Sequence, residues 1–211
     1  MVWMSLDDDK EAFRNFSKAF LINFIFGIIN VVFIVIMVAW AISATVIPMD
    51  GGEVEPAGPI YAFFIPSVIL SLIGNIIFVY YLWHGFKIME TVMPNVSIGK
   101  IGALLLLFSS FSLPIIFPIF WGAPSPNFQS PMAYFGLFSI FGVVGLIGII
   151  LLVIAIYRIG EKYDNTTIKV GAIIYIFLSF IAAIVLYVGF KELENGKSGK
   201  NAVILPPQPP W

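Results

Sequence analysis

The sequence predicts an all-α integral membrane protein, a single bundle of five transmembrane helices. Of its 211 residues, 60% are hydrophobic and only 11% are charged, whereas about 25% of the residues in a soluble domain are charged. Five apolar stretches reach the length of about 20 residues that a helix needs to cross the hydrocarbon layer. They lack the alternation of apolar and polar residues that is typical of membrane β-strands. The composition therefore favours helices that span a bilayer.

The five predicted transmembrane helices follow one another with short connections. They cover residues 19–47, 60–83, 101–120, 132–157 and 170–190. Residues 1–18 are predicted as an interfacial segment, because Ser5 and Asp8 fit a helix capping pattern and Phe13 and Phe16 repeat at helical spacing. Residues 191–211 are predicted as a proline-rich tail, and its end, NAVILPPQPPW, is predicted not to be helical.

Basic residues near the ends of the stretches indicate the orientation in the membrane, because Lys and Arg accumulate on the cytoplasmic side. The N-terminus, the second loop and the fourth loop contain Lys10, Arg14, Lys18, Lys87, Lys100, Arg158, Lys162 and Lys169. The first loop carries only the acids Asp50, Glu53 and Glu55. This predicts a multi-pass plasma-membrane protein with a cytoplasmic N-terminus. Five crossings place the C-terminal tail outside, although Lys191, Lys197 and Lys200 argue against that side.

One phrase occurs twice, as KIGALLLLFSSF at 100–111 and KVGAIIYIFLSF at 169–180. The preceding helices also share Leu-Ile-Gly, at 72–74 and 146–148. The pattern predicts two parallel copies of one helical hairpin, with the first helix outside the repeat; chance similarity between apolar helices is the alternative. In this interpretation Gly102 and Gly171 each lie against the preceding helix of their own hairpin, and Ser97 and Thr166 cap the helices that follow them.

The second hairpin, FGVVGLIGIILLVIAIYRIGEKYDNTTIKVGAIIYIFLSFIAAIV, carries a family resemblance. A Gly-rich apolar helix, a short charged loop and a second apolar helix resemble uncharacterised archaeal membrane proteins, the domain of unknown function family numbered 996. The resemblance covers roughly the third to the fifth stretch. It implies an archaeal plasma membrane and no known activity, so it assigns no catalytic residue.

Polar and small residues inside the stretches are the candidates for helix packing. The predicted spans contain no ionisable residue, which argues against an ion-coupled transporter. Asn30 and Asn75 are expected to hydrogen-bond neighbouring helices, with ligand binding as the less favoured alternative. The small residues expected at helix contacts or at an interface with another subunit are Gly102, Gly171, Ser139, Gly142, Gly145 and Gly148.

Two further groups of residues suggest contacts outside the bundle. His84, Lys87 and Trp83 are candidates for contact with a lipid headgroup or a quinone, and an interfacial aromatic belt is the alternative. The C-terminal sequence PPQPPW favours a polyproline II segment that a partner can bind. Its docking candidates are Pro206, Pro207, Pro209, Pro210 and Trp211.

These observations favour a non-catalytic accessory or structural subunit of a larger archaeal membrane complex, with a respiratory complex as one candidate. The alternative is a small channel or carrier for a neutral or lipidic solute, because some transporters are built from parallel repeats. We expect no catalytic residue, no cofactor and no metal site, since the chain has one histidine and no cysteine. The expected partners are the lipid bilayer and other membrane subunits, and not nucleic acid, because the net charge is −1.

Overall fold

The computed structural model describes residues 6–46, 57–112, 114 and 131–196, and every regular element in these ranges is helical. The α-helices are α1 (Leu6–Val46), α2 (Ala57–Val92), α3 (Ile98–Ser110), α4 (Pro131–Lys162), α5 (Thr166–Tyr175) and α6 (Ser179–Glu194). A short 3₁₀ turn, Pro94–Val96, connects α2 to α3. Three segments are long and apolar enough to cross a membrane, Asp9–Ala39, Ile65–Val92 and Ser139–Lys162. The all-helical class is confirmed for the described residues, and the three long apolar helices agree with the predicted membrane character.

Helices α1 and α2 pack side by side in opposite directions. The ring of Phe20 meets the ring of Phe78 with centroids 5.8 Å apart. Farther along α1, the side chain of Phe26 covers Gly74, which precedes Phe78 in α2. The two helices therefore run antiparallel. The hydroxyl of Ser67 and the amide oxygen of Asn30, 3.5 Å apart, continue this antiparallel contact.

Helices α3 and α4 form a second antiparallel pair, and their backbones touch. A Cβ atom built on Gly102 would lie 2.8 Å from the carbonyl oxygen of Gly148, and one on Gly148 would lie 3.0 Å from the carbonyl oxygen of Gly102. Phe108 and Phe141 stack farther along, with centroids 5.5 Å apart. Only glycine at both positions allows this approach, because any side chain would meet backbone atoms that cannot turn aside.

One end of the bundle, which we call the basal end, gathers the polar connections. The Tyr163 hydroxyl, between α4 and α5, donates to the Asp9 carboxylate at 2.9 Å. Arg158 Nη1 donates to the Asn95 carbonyl at 2.8 Å, which joins the end of α4 to the α2–α3 turn. The start of α1, the end of α2, the start of α3 and the end of α4 therefore meet at one level.

The buried core lies near the basal end. Its largest fully buried side chains are Phe16, Phe20, Leu82, Phe86, Met89, Val96, Leu152, Ile156, Ile159, Ile168, Leu186 and Phe190. Away from the basal end the helices instead expose large apolar side chains, and Val35 of α1 and Ile140 of α4 are each 60% exposed. Such a surface suits lipid, because hydrocarbon carries no penalty for contact with apolar side chains.

The fifth predicted stretch differs from the expectation of a single helix over 170–190. It forms α5 and α6, joined by a turn at residues 176–178, and the two helices fold back on each other. Gly171 faces Leu186 and Gly189 faces Ile168, so the contact is antiparallel. The prediction of one helix is wrong because apolar length alone cannot reveal a turn that contains neither Gly nor Pro.

The remaining predicted boundaries change in smaller ways. Helix α1 begins at Leu6 and includes most of the segment predicted to be interfacial. Helices α2 and α4 extend beyond the predicted ends to Val92 and Lys162. Helix α3 ends at Ser110, and most of the second half of the predicted 101–120 stretch lies outside the described residues. Ser97 makes no side-chain cap to α3.

The α3–α4 contact gives a first prediction. Gly148→Leu and Gly102→Leu place side-chain atoms against backbone, so each should destabilise the protein by about 1–3 kcal/mol. Thermal unfolding in detergent measures this loss. Gly142→Leu on the same helix is the matched control, because nothing lies within 4 Å of its Cβ position. Equal melting temperatures for all three variants would contradict the contact.

Candidate functional site

The α5–α6 hairpin is fastened at the basal end by a group of polar side chains that we call the hairpin clasp. It consists of Ser17, Asn165, Thr167, Glu192 and Glu194. Ser17 and Asn165 are 3% and 4% exposed, which makes them the buried polar side chains of the described core. Buried polar groups are costly unless they are hydrogen-bonded, and both of these are paired.

Asn165 organises the start of α5. Its backbone N–H donates to the carbonyl of Gly160 at 2.9 Å, and its Oδ1 accepts from the backbone N–H of Ile168 at 2.9 Å. The second bond caps the helix, so Asn165 takes the role predicted for Thr166. The preceding Asp164 has φ of 46°, in the left-handed region where Asp is one of the tolerated residues. This tight turn aims α5 back along α4.

Two acidic side chains in the last turn of α6 complete the hairpin clasp. Glu192 Oε2 accepts from Asn165 Nδ2 at 3.3 Å and lies 3.5 Å from the Thr167 hydroxyl. Glu194 Oε2 accepts from Lys191 Nζ at 3.0 Å and lies 3.3 Å from the Ser17 hydroxyl, whose single proton it shares with the Arg14 carbonyl at 3.0 Å. Acids are disfavoured at a helix C-terminus by the helix dipole, so these bonds offset a local cost. Glu192 thereby holds α5, and Glu194 holds α1.

The opposite end of the hairpin, its tip, lies against the middle of α1. Asn23 Nδ2 donates to the Tyr175 hydroxyl at 3.4 Å. The rings of Phe24 and Phe180 stack with centroids 4.9 Å apart, and the Phe180 ring lies against Gly27. Phe177 in the turn itself is 78% exposed, the largest exposure among the large apolar side chains that the structure describes.

Tyr163 connects the α4–α5 turn with the start of α1. Its ring meets Phe13 edge-on at 4.9 Å, and its hydroxyl also lies 3.8 Å from Met89 Sδ. Burial, and then the adjacent Asp9 carboxylate, raise the pKa of Tyr163 well above its ordinary value. The neutral phenol is therefore the form that the fold stabilises.

The small residues predicted for helix packing have different surroundings. Gly102, Gly148 and Gly145 face the α3–α4 contact, the last against the side chain of Ser109. Gly142 faces open space and Ser139 is exposed. Gly142 and Gly145 border a cleft of about 330 Å³ between α3 and α4, which Ser109, Ser112 and Phe141 also help to line.

The two glycines of the repeated phrase do not face the helices predicted for them. Gly102 meets α4 and Gly171 meets Leu186 of α6, so each faces the helix that follows it rather than the one that precedes it. Gly74 and Gly148, by contrast, each face the preceding helix, through Phe26 of α1 and Gly102 of α3. The duplication itself stays a prediction.

The predicted headgroup residues divide between two sides of α2. His84 and Lys87 are exposed, and the His84 ring packs on Tyr80 with centroids 4.3 Å apart. Trp83 is half-buried, and Lys100 Nζ lies over its ring at 5.7 Å from the centroid. Trp83 therefore contacts α3, which leaves His84 and Lys87 at the outer surface.

The predicted packing asparagines lie on α1 and α2. Asn30 donates to the carbonyl of Phe26 in its own helix at 2.9 Å and reaches Ser67 of α2 with its amide oxygen. Asn75 is half-buried. The tail candidates, Pro206, Pro207, Pro209, Pro210 and Trp211, lie outside the described residues, as do Asp50, Glu53 and Glu55.

Sequence reasoning missed the hairpin clasp. In the part of the chain that the structure describes, no group of three His, Cys, Asp or Glu side chains is placed to hold a metal ion. A signal for the clasp was nevertheless present, since Asn165 precedes two threonines and two acids end α6 against the dipole. The arrangement can fasten helices, and it brings together no set of groups suited to acid–base or nucleophilic chemistry.

A second prediction concerns the helix cap. Asn165→Ala removes the cap of α5 and one donor to Glu192, so it should destabilise the protein by about 1–2 kcal/mol. Thr166→Ala, at the neighbouring exposed residue, is the control and should leave thermal stability nearly unchanged. A larger loss in Thr166→Ala than in Asn165→Ala would disprove the assignment of the cap.

A third prediction concerns alkaline pH. Because the folded pKa of Tyr163 is raised, its contribution to stability is present below the unfolded value of about 10 and is lost as pH rises toward the folded value. Tyr163→Phe cannot ionise, so its melting temperature should fall less steeply than that of the wild type between about pH 8 and about pH 11. Parallel decreases in the two proteins would show that Tyr163 does not titrate with this shift.

Comparison with known proteins gives a family but no activity. No curated protein and no solved structure matches the chain. The family described as "Protein of unknown function (DUF973)" matches residues 9–210. The resemblance to family 996 is therefore wrong, because glycine-rich apolar helices around a charged loop are common to many membrane proteins, and the archaeal source that it implied loses its basis. The chain belongs to the DUF973 family, whose function is unknown.

Proposed function

We propose that this protein is a non-catalytic accessory or structural subunit of a larger complex in the plasma membrane. The observation that carries the proposal is the close aromatic packing between the helices near the basal end. Phe16, Phe20, Phe86 and Phe190 are fully buried there. The Phe16 ring lies 4.8 Å from both Phe86 and Phe190. A carrier needs a polar path at this level, and closely packed aromatic rings favour a structural role instead.

The backbone contact between α3 and α4 supports the same role. Gly102 and Gly148 bring the two helices so close that no space for a solute remains between them at that level. Close glycine contacts are typical of permanent helix association in membranes. The contact between Gly102 and Gly148 therefore stabilises the helix bundle itself.

The orientation we propose places the basal end in the cytoplasm, with the N-terminus. Lys18, Lys87, Lys100 and Arg158 lie at or near that end, and Lys and Arg accumulate on the cytoplasmic side of membranes. Helices α1, α2 and α4, together with the apolar stretch that begins with α3, provide four of the five predicted crossings. The fifth stretch is the folded α5–α6 hairpin.

A channel or carrier for a neutral or lipidic solute is the second candidate, and one observation favours it. The cleft of about 330 Å³ between α3 and α4 is lined by apolar side chains together with the hydroxyl-bearing Ser109 and Ser112. Such a mixture suits a lipidic molecule. The cleft opens between two helices on one side of the bundle and leaves the aromatic core intact.

Purification of the full chain from its native membrane in mild detergent tests the proposal. We expect at least one membrane protein to co-purify in fixed stoichiometry, as determined by native mass spectrometry. A chain shortened after Gly196 is the matched variant. It should keep its melting temperature and lose part of the partner if the proline-rich tail contributes to docking.

Two outcomes would contradict the accessory role. The first is a monodisperse monomer without any co-purifying protein. The second is solute flux in proteoliposomes that Gly142→Trp, which fills the α3–α4 cleft, abolishes. Gly136→Trp, at another glycine of α4 with nothing within 4 Å of its Cβ position, is the control for that variant.

A further inference from the structure

We infer that α5 and α6 form a re-entrant hairpin, which enters the membrane from the basal side and returns to that side. The order of contacts between the helices carries this inference. Thr167 at the start of α5 lies beside Glu192 at the end of α6, with oxygens 3.5 Å apart. A Cβ atom built on Gly189 would lie 3.4 Å from the Thr167 Cβ. In one continuous helix, residues 167 and 189 would be about 33 Å apart.

The length of the hairpin matches half of a bilayer. Helix α5 has 10 residues, which span about 15 Å at 1.5 Å per residue. Helix α6 has 16 residues, and its part from Ser179 to the last residue before Lys191 spans about 18 Å, against a hydrocarbon layer about 30 Å thick. The tip meets α1 at Gly27 through the Phe180 ring. Gly27 is about 14 Å along α1 from Lys18, which places the tip near the middle of the membrane.

The outer surface of the hairpin suits lipid up to its tip. Ile173 of α5, Phe177 of the turn, and Ile184 and Val188 of α6 are all exposed. Charged side chains appear only at the base, where Lys169 pairs with Asp164 at 3.2 Å and Lys191 pairs with Glu194. An apolar hairpin with a charged base is expected to lie with its tip in hydrocarbon and its base at the headgroups.

The hairpin also removes the conflict in the charge pattern. Every Lys and Arg in the described part of the chain lies at or near the basal end, namely Lys10, Arg14, Lys18, Lys87, Lys100, Arg158, Lys162, Lys169 and Lys191. If the chain returns to the basal side, Lys197 and Lys200 follow on that side as well. All basic residues then obey the positive-inside rule without an exception.

One consequence follows for the partner, and it rests on the proposed role as a subunit. The proline-rich tail begins on the cytoplasmic side, so its binding partner is a cytoplasmic protein or a cytoplasmic loop, contrary to the extracellular tail expected from five crossings. The turn at residues 176–178 can lie at mid-depth, because the backbone N–H groups of all three residues donate to the carbonyls of Ile173 and Ile174, as contact with hydrocarbon requires.

A cysteine pair tests the hairpin directly, because the natural chain contains no cysteine. Thr167→Cys with Gly189→Cys should form a disulfide after mild oxidation in native membranes, since Cβ atoms about 3.5–4.5 Å apart suit such a bond. The disulfide is detected when neither cysteine reacts with a maleimide and both react after a reductant is added. The two single-cysteine variants are the controls and should keep their thiols. Two free thiols in a protein with wild-type thermal stability would overturn the hairpin.

Labelling with an impermeant maleimide provides a test that leaves the helix contacts unchanged. Glu161→Cys and Asn195→Cys are at exposed positions on either side of the hairpin. Both should react only after permeabilisation, whereas Gly52→Cys in the first loop should react in intact cells. Reaction of Asn195→Cys with intact cells while Glu161→Cys stays protected would overturn the re-entrant path. Reaction of both in intact cells would keep the hairpin and reverse only the orientation proposed above.

Discussion

The contact on which the bundle depends is the packing of Phe190 against α1. The Phe190 ring stacks on Phe20 with centroids 5.8 Å apart and on Phe13 at 6.5 Å, and it contacts the tilted ring of Phe16 at 4.8 Å. Each aromatic pair contributes about 0.5–1.5 kcal/mol beyond its burial. Phe190 lies near the end of the chain and its partners lie near the beginning. The three rings on α1 thus fix the position of α6. Helix α6 can reach them only because the chain turns back at residues 176–178.

The same cluster determines how the other helices are arranged. Phe16 contacts Phe86 of α2 and lies over Gly85, so α2 is held against α1 at the level where α6 packs. The polar hairpin clasp lies just beside these rings, and Ser17 is the residue of α1 that links the two. Burial of the aromatic rings therefore stabilises the contacts of α1 with α2 and α6. The hydrogen bonds of the hairpin clasp determine the direction from which α6 approaches α1. A bundle organised in this way is packed near the basal end and offers lipid-facing surfaces beyond it.

Glycine serves two different purposes in this fold. Gly102 and Gly148 allow two backbones to touch, so their replacement meets atoms that cannot move. Gly27, Gly74 and Gly85 instead provide flat surfaces for phenylalanine rings of neighbouring helices. Both purposes bring helices together without hydrogen bonds or charges, which suits helices that are apolar enough to cross a membrane. Helix contacts made without polar groups agree with the proposed structural role.

The sequence by itself determined the helical class, the membrane character and the approximate position of the apolar stretches, because these depend on composition and on the length of apolar runs. It also identified the glycines of the α3–α4 contact as small residues suited to close packing. Only the tertiary structure decided that residues 170–190 turn back, that Asn165 rather than Thr166 caps α5, and that Gly102 faces α4. Each of these depends on contacts between residues distant in sequence, such as Phe190 with Phe16 and Glu192 with Asn165. A hydrophobic run indicates that a segment is buried away from water. It does not indicate which helix the segment packs against or where the chain turns.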